Sequence, residues 1–235
     1  QPKVALEIVR RTRDTVPAEI PVTVKMRRGI DDSAESRDKF FEILDGAFDA
    51  GVAGITVHGR TVEQRYVGPS RWEFLTEVKR HVGSKRILGS GDLFTAADCL
   101  EMLRRTGIDG VTVARGAIGN PWIFAQARAL AAGRPLPEPP TLHVQRELLR
   151  EHFRLAEGTY GERRAAVLMR KFGIKYAALH PEYETVRAAY GSVLGRDDWN
   201  RLLDLHYGED RPGVHPDPHR HRSAGEGSGE GESCD

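Results

Sequence analysis

The sequence contains few cysteines and no long apolar run. Its two cysteines are Cys99 and Cys234 among 235 residues, and neither belongs to a CxxC pair or a set with zinc-ligand spacing. This excludes a disulfide framework and a zinc finger. No apolar stretch reaches the roughly 18 residues of a membrane-spanning helix, and no signal peptide is visible. We therefore expect a cytoplasmic protein that does not interact with a membrane.

The usual signatures of catalysis are also missing. There is no nucleophile–base pair, no carboxylate pair and no GxGxxG turn, and Cys99 lies between apolar helical positions, which indicates packing. Three histidines near the end, His215, His219 and His221, resemble a metal-binding tract, but a disordered polar segment explains them better. We predict no metal site, and the residues alone identify no catalytic group.

The small net charge of +1 conceals an uneven distribution. From His206 onward there are seven acidic and three basic residues, so the preceding part carries a net charge of +5. A mildly basic body is compatible with a polyanionic partner without requiring one.

Helical patterns alternate with four short strand patterns that begin at residues 22, 55, 87 and 111. This order predicts parallel strands joined by helical crossovers. Three of the strands alternate polar with apolar residues, which favours the C-terminal half of a (β/α)8 barrel over an open doubly wound sheet. The chain begins with Gln1 inside a helical pattern, so we expect a fragment of a longer protein.

Each strand pattern ends in polar residues or glycine. Because the carboxyl ends of parallel strands carry the chemistry of a barrel, these residues are candidate ligands. The glycine-bearing turns GSGD at 89–92 and ARGA at 114–117, taken as a pair at consecutive strands, favour a phosphate site over simple tight turns, and Arg115 adds a fixed charge. A lysine and a histidine at neighbouring strand ends favour an electron-rich ligand over a solvated lysine and a structural histidine. The candidates are Lys25, Arg27, His58, Arg60, Ser90, Gly91, Asp92, Ala114 and Arg115.

Composition divides the chain into four parts. Residues 1–133 hold the strand–helix repeats, 134–140 form a proline-rich linker, 141–207 are helical throughout and 208–235 are expected to be disordered. On a helical wheel, basic residues of the helical part share one face, and Ala165, Leu168, Phe172 and Tyr176 share the other. The basic face suits a phosphate backbone, although an ordinary solvated face explains it as well. The basic residues are Arg163, Arg164, Arg170, Lys171 and Lys175.

Taken together, these motifs resemble the tRNA-dihydrouridine synthases. The resemblance is carried by VTVKMR at 22–27, VHGRT at 57–61, GSGD at 89–92, ARGA at 114–117, NPWIF at 120–124 and MRK at 169–171, in the family's order and spacing. Each motif is weak alone, but the set covers roughly residues 1–205 and is specific.

The resemblance implies an FMN enzyme that uses NADPH to reduce the C5=C6 bond of uridines in tRNA. It implies that the helical part grips tRNA through Arg164, Arg170, Lys171 and Lys175, and it suggests no obligate protein partner. Arg27 and Arg60 would contact uridine or phosphate. The cofactor-binding residues implied are Lys25, His58, Ser90, Gly91, Asp92, Ala114 and Arg115.

This sequence departs from the family pattern in three places. Ser90 stands where the family usually has Asn, and Ala114 where Gly is common. The family's general-acid cysteine, in an Asn-x-x-Cys-Pro motif, is expected upstream of Gln1, so this chain alone should be inactive. Three alternatives stay open: another FMN-dependent barrel oxidoreductase, a non-catalytic RNA-binding remnant, and a sugar-phosphate isomerase.

Overall fold

The computed structural model describes residues 1–217. These form two compact units, residues 1–113 and residues 114–217. The domain boundaries predicted from composition, at 133 and 141, stay a prediction. The boundary between the two compact units lies between Val113 and Ala114 in the sequence.

The first unit alternates helices with strands. Its elements are α1 (Pro2–Thr15), β1 (Thr23–Arg27), α2 (Ala34–Asp49), β2 (Gly54–His58), α3 (Trp72–Val82), β3 (Ile87–Ser90), α4 (Ala96–Thr106) and β4 (Gly110–Val111). The four strands form one parallel sheet in the order β1-β2-β3-β4. The predicted α/β class and the parallel arrangement are confirmed.

The sheet has one apolar and one polar face, because successive residues of a strand point to opposite sides. Ile55, Val57 and Ile87 are fully buried. A side chain on Gly89, the register partner of Val57, would collide with residues of α3, α4 and the turn before β4, so the helices cover this face. The opposite face carries Lys25, Thr56 and their strand neighbours, and it ends at the candidate site.

Two of the helices in this unit begin at side-chain caps. The Ser33 hydroxyl accepts a hydrogen bond from the Ser36 N–H at 3.1 Å, which begins α2. Thr95 and Asp98 form a complete capping box at the start of α4, and Gly107 ends that helix in the left-handed conformation. These local signals set where the crossovers through α2 and α4 begin.

The fourth strand is shorter than its pattern predicts. β4 contains only Gly110 and Val111, although the Thr112 N–H still donates to the Gly89 carbonyl at 2.8 Å. Beyond Thr112 the chain leaves the ladder and enters a 3-10 turn, Arg115–Ala117. This is an edge strand of the described sheet, so one neighbouring strand alone holds it.

The second unit is helical. After the 3-10 turn come α5 (Ile123–Ala131), α6 (Leu142–Tyr160), α7 (Glu162–Tyr176), a second 3-10 turn (Ala177–Leu179), α8 (Tyr183–Gly191) and α9 (Arg196–His206). Their core is aromatic: Phe153 stacks on Trp199 with 5.1 Å between ring centroids, and Tyr190 lies 5.3 Å from Trp199. The predicted absence of strands from 141 to 207 holds in the described structure.

Residues 208–217 lie against these helices. The Arg211 carbonyl accepts from the Leu142 N–H at 2.9 Å, and the Val214 N–H donates to the Leu179 carbonyl at 2.9 Å. Gly213 fits where a side chain would collide with the Pro140 carbonyl. The rest of the segment predicted to be disordered, 218–235, lies outside the described residues, as do His219 and His221. Across the described chain, no helix has the length and hydropathy needed to span a membrane.

Candidate functional site

Polar residues line up across the carboxyl ends of the first three strands. The parallel register pairs Arg27 with His58 and His58 with Ser90, so the three side chains project from the same face of the sheet. One step earlier, Lys25 pairs with Thr56. Lys25 is exposed, Arg27 and His58 are half-buried, and Ser90 is buried. The sheet thus brings together the candidates predicted from β1, β2 and β3.

His58 is a neutral hydrogen-bond donor near neutral pH. Its Nδ1 accepts a hydrogen bond from the Arg60 backbone N–H at 3.1 Å, so in the neutral ring the proton resides on Nε2. Burial, together with the charges of Arg27, Arg60 and Lys25, lowers the pKa of His58 to about 4. The ring therefore offers an N–H to an acceptor.

Arg60 is buried at the end of the same strand, with only 3% of its surface exposed. Its Nε and Nη2 donate to the Gly68 carbonyl at 3.2 and 2.7 Å. Nη2 also donates to the Asp92 carboxylate at 2.8 Å. Nη1 is buried as well and has no hydrogen-bond partner among the described residues. A buried guanidinium N–H without an acceptor is costly, so an acceptor supplied by a ligand would relieve it.

The turn after β3 is fitted closely to the loop after β2. Gly91 has φ +120°, and a Cβ there would lie 2.2 Å from the Ser70 hydroxyl. The Ser70 N–H donates to Asp92 at 2.7 Å, and the Trp72 indole N–H donates to the Gly91 carbonyl at 3.1 Å. Asp92 itself has φ +57°, a left-handed conformation that aspartate tolerates better than most residues. The glycine and the aspartate of GSGD thus have structural reasons for their identity.

Two residues that the sequence analysis did not single out hold the same loops. Arg28 is buried, and its Nε donates to the Gly59 carbonyl at 3.0 Å. The Asp32 carboxylate bridges Arg28 and Arg71, with 3.0 Å to the Arg71 guanidinium. Arg28 directly follows β1, and a charged residue adjacent to Arg27 gives no sign in the sequence that it is buried.

Ala114 and Arg115 belong to the second unit. Ala114 precedes the 3-10 turn that Arg115 begins, and both lie near the start of the residue 114–217 unit. The prediction that they complete a phosphate site with Ser90 and Gly91 stays a prediction.

The basic residues of the helical unit share much of one face of α7. Arg163, Arg164, Lys171 and Lys175 are exposed and Arg170 is half-buried. The Arg164 guanidinium lies 5.6 Å from the centre of the Tyr160 ring.

The core face of α7 differs in part from its prediction. Ala165 and Tyr176 are buried as predicted, but Leu168 is 36% exposed. The buried stripe instead runs through Ala166, Met169 and Gly173, which places Leu168 beside the basic residues. The exposed face therefore combines cations with apolar side chains.

Groups suited to metal binding or acid catalysis do not stand out in the described residues. No cluster of three or more His, Cys, Asp or Glu side chains is placed to hold a metal ion in this part of the chain. Cys99 is buried in α4, and burial raises the pKa of its thiol to about 11. It packs, as predicted, and its thiol is a poor proton donor at neutral pH.

The residues at the strand ends fit an electron-rich, anionic cofactor. An ammonium, two guanidinium groups and a neutral imidazole N–H are donors, and the buried Nη1 of Arg60 has no acceptor in the described part of the chain. Such a set suits carbonyl, ring-nitrogen or phosphate acceptors and is unsuited to a cation. Fold and geometry together define a βα-repeat protein with a candidate ligand site at the carboxyl end of its sheet.

Comparison with known proteins specifies the family. The family model described as "Dihydrouridine synthase (Dus)" matches residues 1–205, and the chain belongs to this family. A probable tRNA-dihydrouridine synthase of Mycobacterium tuberculosis (strain CDC 1551 / Oshkosh) is 36% identical over 197 residues, covering 84% of this chain and 50% of that protein. A tRNA-dihydrouridine synthase B of Xanthomonas campestris pv. campestris is 34% identical over 171 residues, covering 72% and 50%.

A further relative, a probable tRNA-dihydrouridine synthase of Rickettsia conorii, is 33% identical over 187 residues, which are 80% of this chain and 55% of that protein. The chain thus spans about half the length of the curated relatives it matches. Its four βα units likewise match half of the eight in a barrel.

Proposed function

We propose that this chain is part of a tRNA-dihydrouridine synthase, which reduces the C5=C6 bond of selected uridines in tRNA with FMN and NADPH. One observation carries the proposal: in a chain of this family, the sheet register aligns Arg27, His58 and Ser90 at neighbouring strand ends, with Lys25 one step behind. We place the protein in the cytoplasm, where tRNA is modified.

FMN is held by residues from three strand ends of the first unit. Lys25 supplies a charge beside the flavin ring, and His58 donates a hydrogen bond from Nε2–H to an acceptor on the cofactor. Ser90, Gly91 and the backbone of Asp92 bind the phosphate end. The chemistry that a bound flavin supplies is hydride transfer, from NADPH to C6 of the uridine. Support comes from the neutral ring of His58, whose Nδ1 already accepts from the Arg60 N–H and whose Nε2–H is left as a donor beside the Lys25 ammonium.

Arg27 and Arg60 contact the substrate uridine or a neighbouring phosphate. Arg27 is half-buried, and its Nη1 donates to the Thr61 carbonyl at 2.8 Å, which restrains its side chain. Arg60 keeps Nη1 for an acceptor on uridine or a neighbouring phosphate. Two fixed guanidinium groups would orient the uracil carbonyls while the uridine is out of its stack.

The proton for C5 comes from a group outside this chain. Cys99 is unsuited, because its buried thiol has a raised pKa. We therefore expect residues 1–235 alone to form no dihydrouridine. The helical unit supplies the tRNA contact, through Arg164, Lys171 and Lys175 on the exposed face of α7 and through Arg170 at its border.

The test uses the full-length gene product. Bound flavin is identified by its absorption spectrum and by chromatography of the released cofactor. Dihydrouridine is measured by mass spectrometry of nucleosides, after incubation with NADPH and tRNA from cells that lack dihydrouridine synthases. We expect bound FMN and NADPH-dependent dihydrouridine; His58→Ala should lower flavin content, whereas Arg104→Ala, on the outer surface of α4, should not. Binding of tRNA without flavin would support an RNA-binding remnant instead.

A further inference from the structure

Asp92 and Arg60 form one structural unit that joins two loops. Arg60 follows β2 and Asp92 follows β3, and their side chains meet through the 2.8 Å Nη2–Oδ2 contact. The Arg60 side chain is 4% exposed and that of Asp92 is 23% exposed. A charge-assisted hydrogen bond this shielded from water is stronger than a surface ion pair.

The same carboxylate oxygen has a second partner. Asp92 Oδ2 accepts the Ser70 backbone N–H at 2.7 Å, and the carbonyl of Gly68 accepts two hydrogen bonds from the Arg60 guanidinium. The guanidinium is therefore hydrogen-bonded both to Asp92 and to the 68–70 segment. Within residues 1–217, no protein acceptor contacts the remaining guanidinium nitrogen, Nη1.

Geometry and charge favour this use of the Asp92 carboxylate over direct contact with a cofactor phosphate. A carboxylate beside a phosphate brings two negative charges together, which weakens binding. Against Arg60 and the Ser70 N–H, the negative charge is compensated.

We propose that Asp92 is a positioning residue for Arg60: its carboxylate holds the guanidinium so that Nη1 can donate to the substrate or to the cofactor. The proposal rests on the dihydrouridine synthase function proposed above. It places the Asp92 side chain behind Arg60, and it leaves only the Asp92 backbone for the phosphate.

The first test measures Arg60 itself and needs no flavin. Full-length protein is treated with phenylglyoxal, which modifies accessible guanidinium groups, and the rate at each arginine is followed by mass spectrometry. Asp92→Asn keeps an oxygen acceptor and tolerates φ +57°, while Asp92→Gly keeps the backbone and removes the acceptor. We expect Arg60 to react about tenfold faster in Asp92→Gly and by a smaller factor in Asp92→Asn, as loss of a charged hydrogen bond predicts.

Two other arginines serve as internal controls. Arg104, whose side chain is 73% exposed, should react at one rate in all variants. Arg28 is buried and held by Asp32, so it should stay protected unless the first unit unfolds. Faster modification of Arg60 alone supports positioning. An unchanged Arg60 rate, or Arg60 and Arg28 rising together, would overturn it.

The second test is a double-mutant cycle with Arg60→Lys. If Asp92 acts through Arg60, kcat falls in Asp92→Asn and in Arg60→Lys, and the double variant is little worse than the poorer single variant. FMN affinity in Asp92→Asn should stay within about twofold of the wild-type value. A substitution that removes no direct contact with the cofactor is expected to have an effect of about that size. Additive losses of kcat, or FMN binding that tightens when the carboxylate is neutralised, would place Asp92 on the phosphate instead. These outcomes differ from those expected if the proposed function is wrong. In that case the wild-type protein would lack flavin and activity, while arginine labelling would still report on the Asp92–Arg60 pair.

Discussion

The ring of Tyr190 occupies the space where a Cβ on Gly173 would stand. The two residues are on α8 and α7, and the added carbon would lie 2.2 Å from the Tyr190 Cδ1. Both are fully enclosed in the helical core. The absent side chain of Gly173 therefore lets the two helices approach each other, and α7 runs through this glycine to Tyr176 without a break.

Gly173→Ala should destabilise the second unit. Overpacking of a tight core costs about 1–3 kcal/mol, which outweighs the gain of about 1 kcal/mol in helix propensity. Gly158→Ala is the matched control, because Gly158 lies within α6 with no atom near its would-be Cβ. We expect that control to be neutral or stabilising in urea unfolding. Equal behaviour of the two variants would contradict the packing account.

His180 should make the second unit less stable in mild acid. The residue is fully buried, its Nδ1 accepts from the Glu182 N–H at 3.0 Å, and its Nε2 lies 2.9 Å from the His206 carbonyl. Burial lowers the pKa of His180 below its value in the unfolded chain. Between those two pKa values the unfolded state binds more protons than the folded state. The contribution of neutral His180 to the free energy of unfolding is therefore fully present above about pH 6.5 and falls as the pH decreases toward the folded pKa.

The measurement is the free energy of unfolding of the second unit between about pH 8 and pH 5. One such group contributes at most about 1.4 kcal/mol per pH unit. His180→Gln should lower stability near pH 8 but flatten the pH dependence. His215→Gln, at an exposed position, should retain the wild-type slope. A variant at His180 with an unchanged slope would show that other groups cause the acid sensitivity.

Much of the first unit could be predicted because its signals are local. The caps at Ser33 and Thr95, the stop at Gly107 and the alternation around His58 each depend on residues close together in the sequence. Parallel βα order then brings the strand ends together without further information. The candidate residues on β1, β2 and β3 meet for this reason.

What could not be predicted depends on partners distant in sequence. The burial of Arg28 results from contacts with Gly59 and Asp32 that no local pattern encodes. The apolar side chain of Leu168 predicts a core position, but the packing of α7 uses small residues, Ala165, Ala166 and Gly173, and leaves Leu168 outside. The chain from Gly208 to Asp217 has no periodic pattern of apolar residues that would predict a packed element. Backbone hydrogen bonds nevertheless connect it to α6 and to the second 3-10 turn.

His58 should titrate far below an ordinary histidine. Its pKa is lowered to about 4 by burial and by the three neighbouring cations, so the ring stays neutral through the physiological range. NMR titration of the ring, with nitrogen shifts to identify the tautomer, should show the proton on Nε2 and a midpoint near 4. A proton on Nδ1 would remove His58 as an Nε2–H donor to the cofactor. A midpoint near the ordinary 6.5 would contradict the lowering of the pKa by burial and neighbouring cations.

Charge reversal on the exposed face of α7 should weaken tRNA binding without affecting flavin. Lys171 and Lys175 lie one helical turn apart and are both exposed. If both contact phosphates, Lys171→Glu and Lys175→Glu should each reduce tRNA affinity several-fold, roughly uniformly across tRNA sequences. Each should also reduce the slope of log affinity against log salt concentration by about one.

Arg104→Glu makes the same charge change on α4 of the first unit, where the side chain is 73% exposed and pairs with Glu101. Should this control weaken tRNA binding as much as the α7 variants, net charge rather than the α7 face would account for the affinity. Flavin content measured in the same samples separates loss of the RNA contact from loss of the fold, because the proposed cofactor residues lie outside α7.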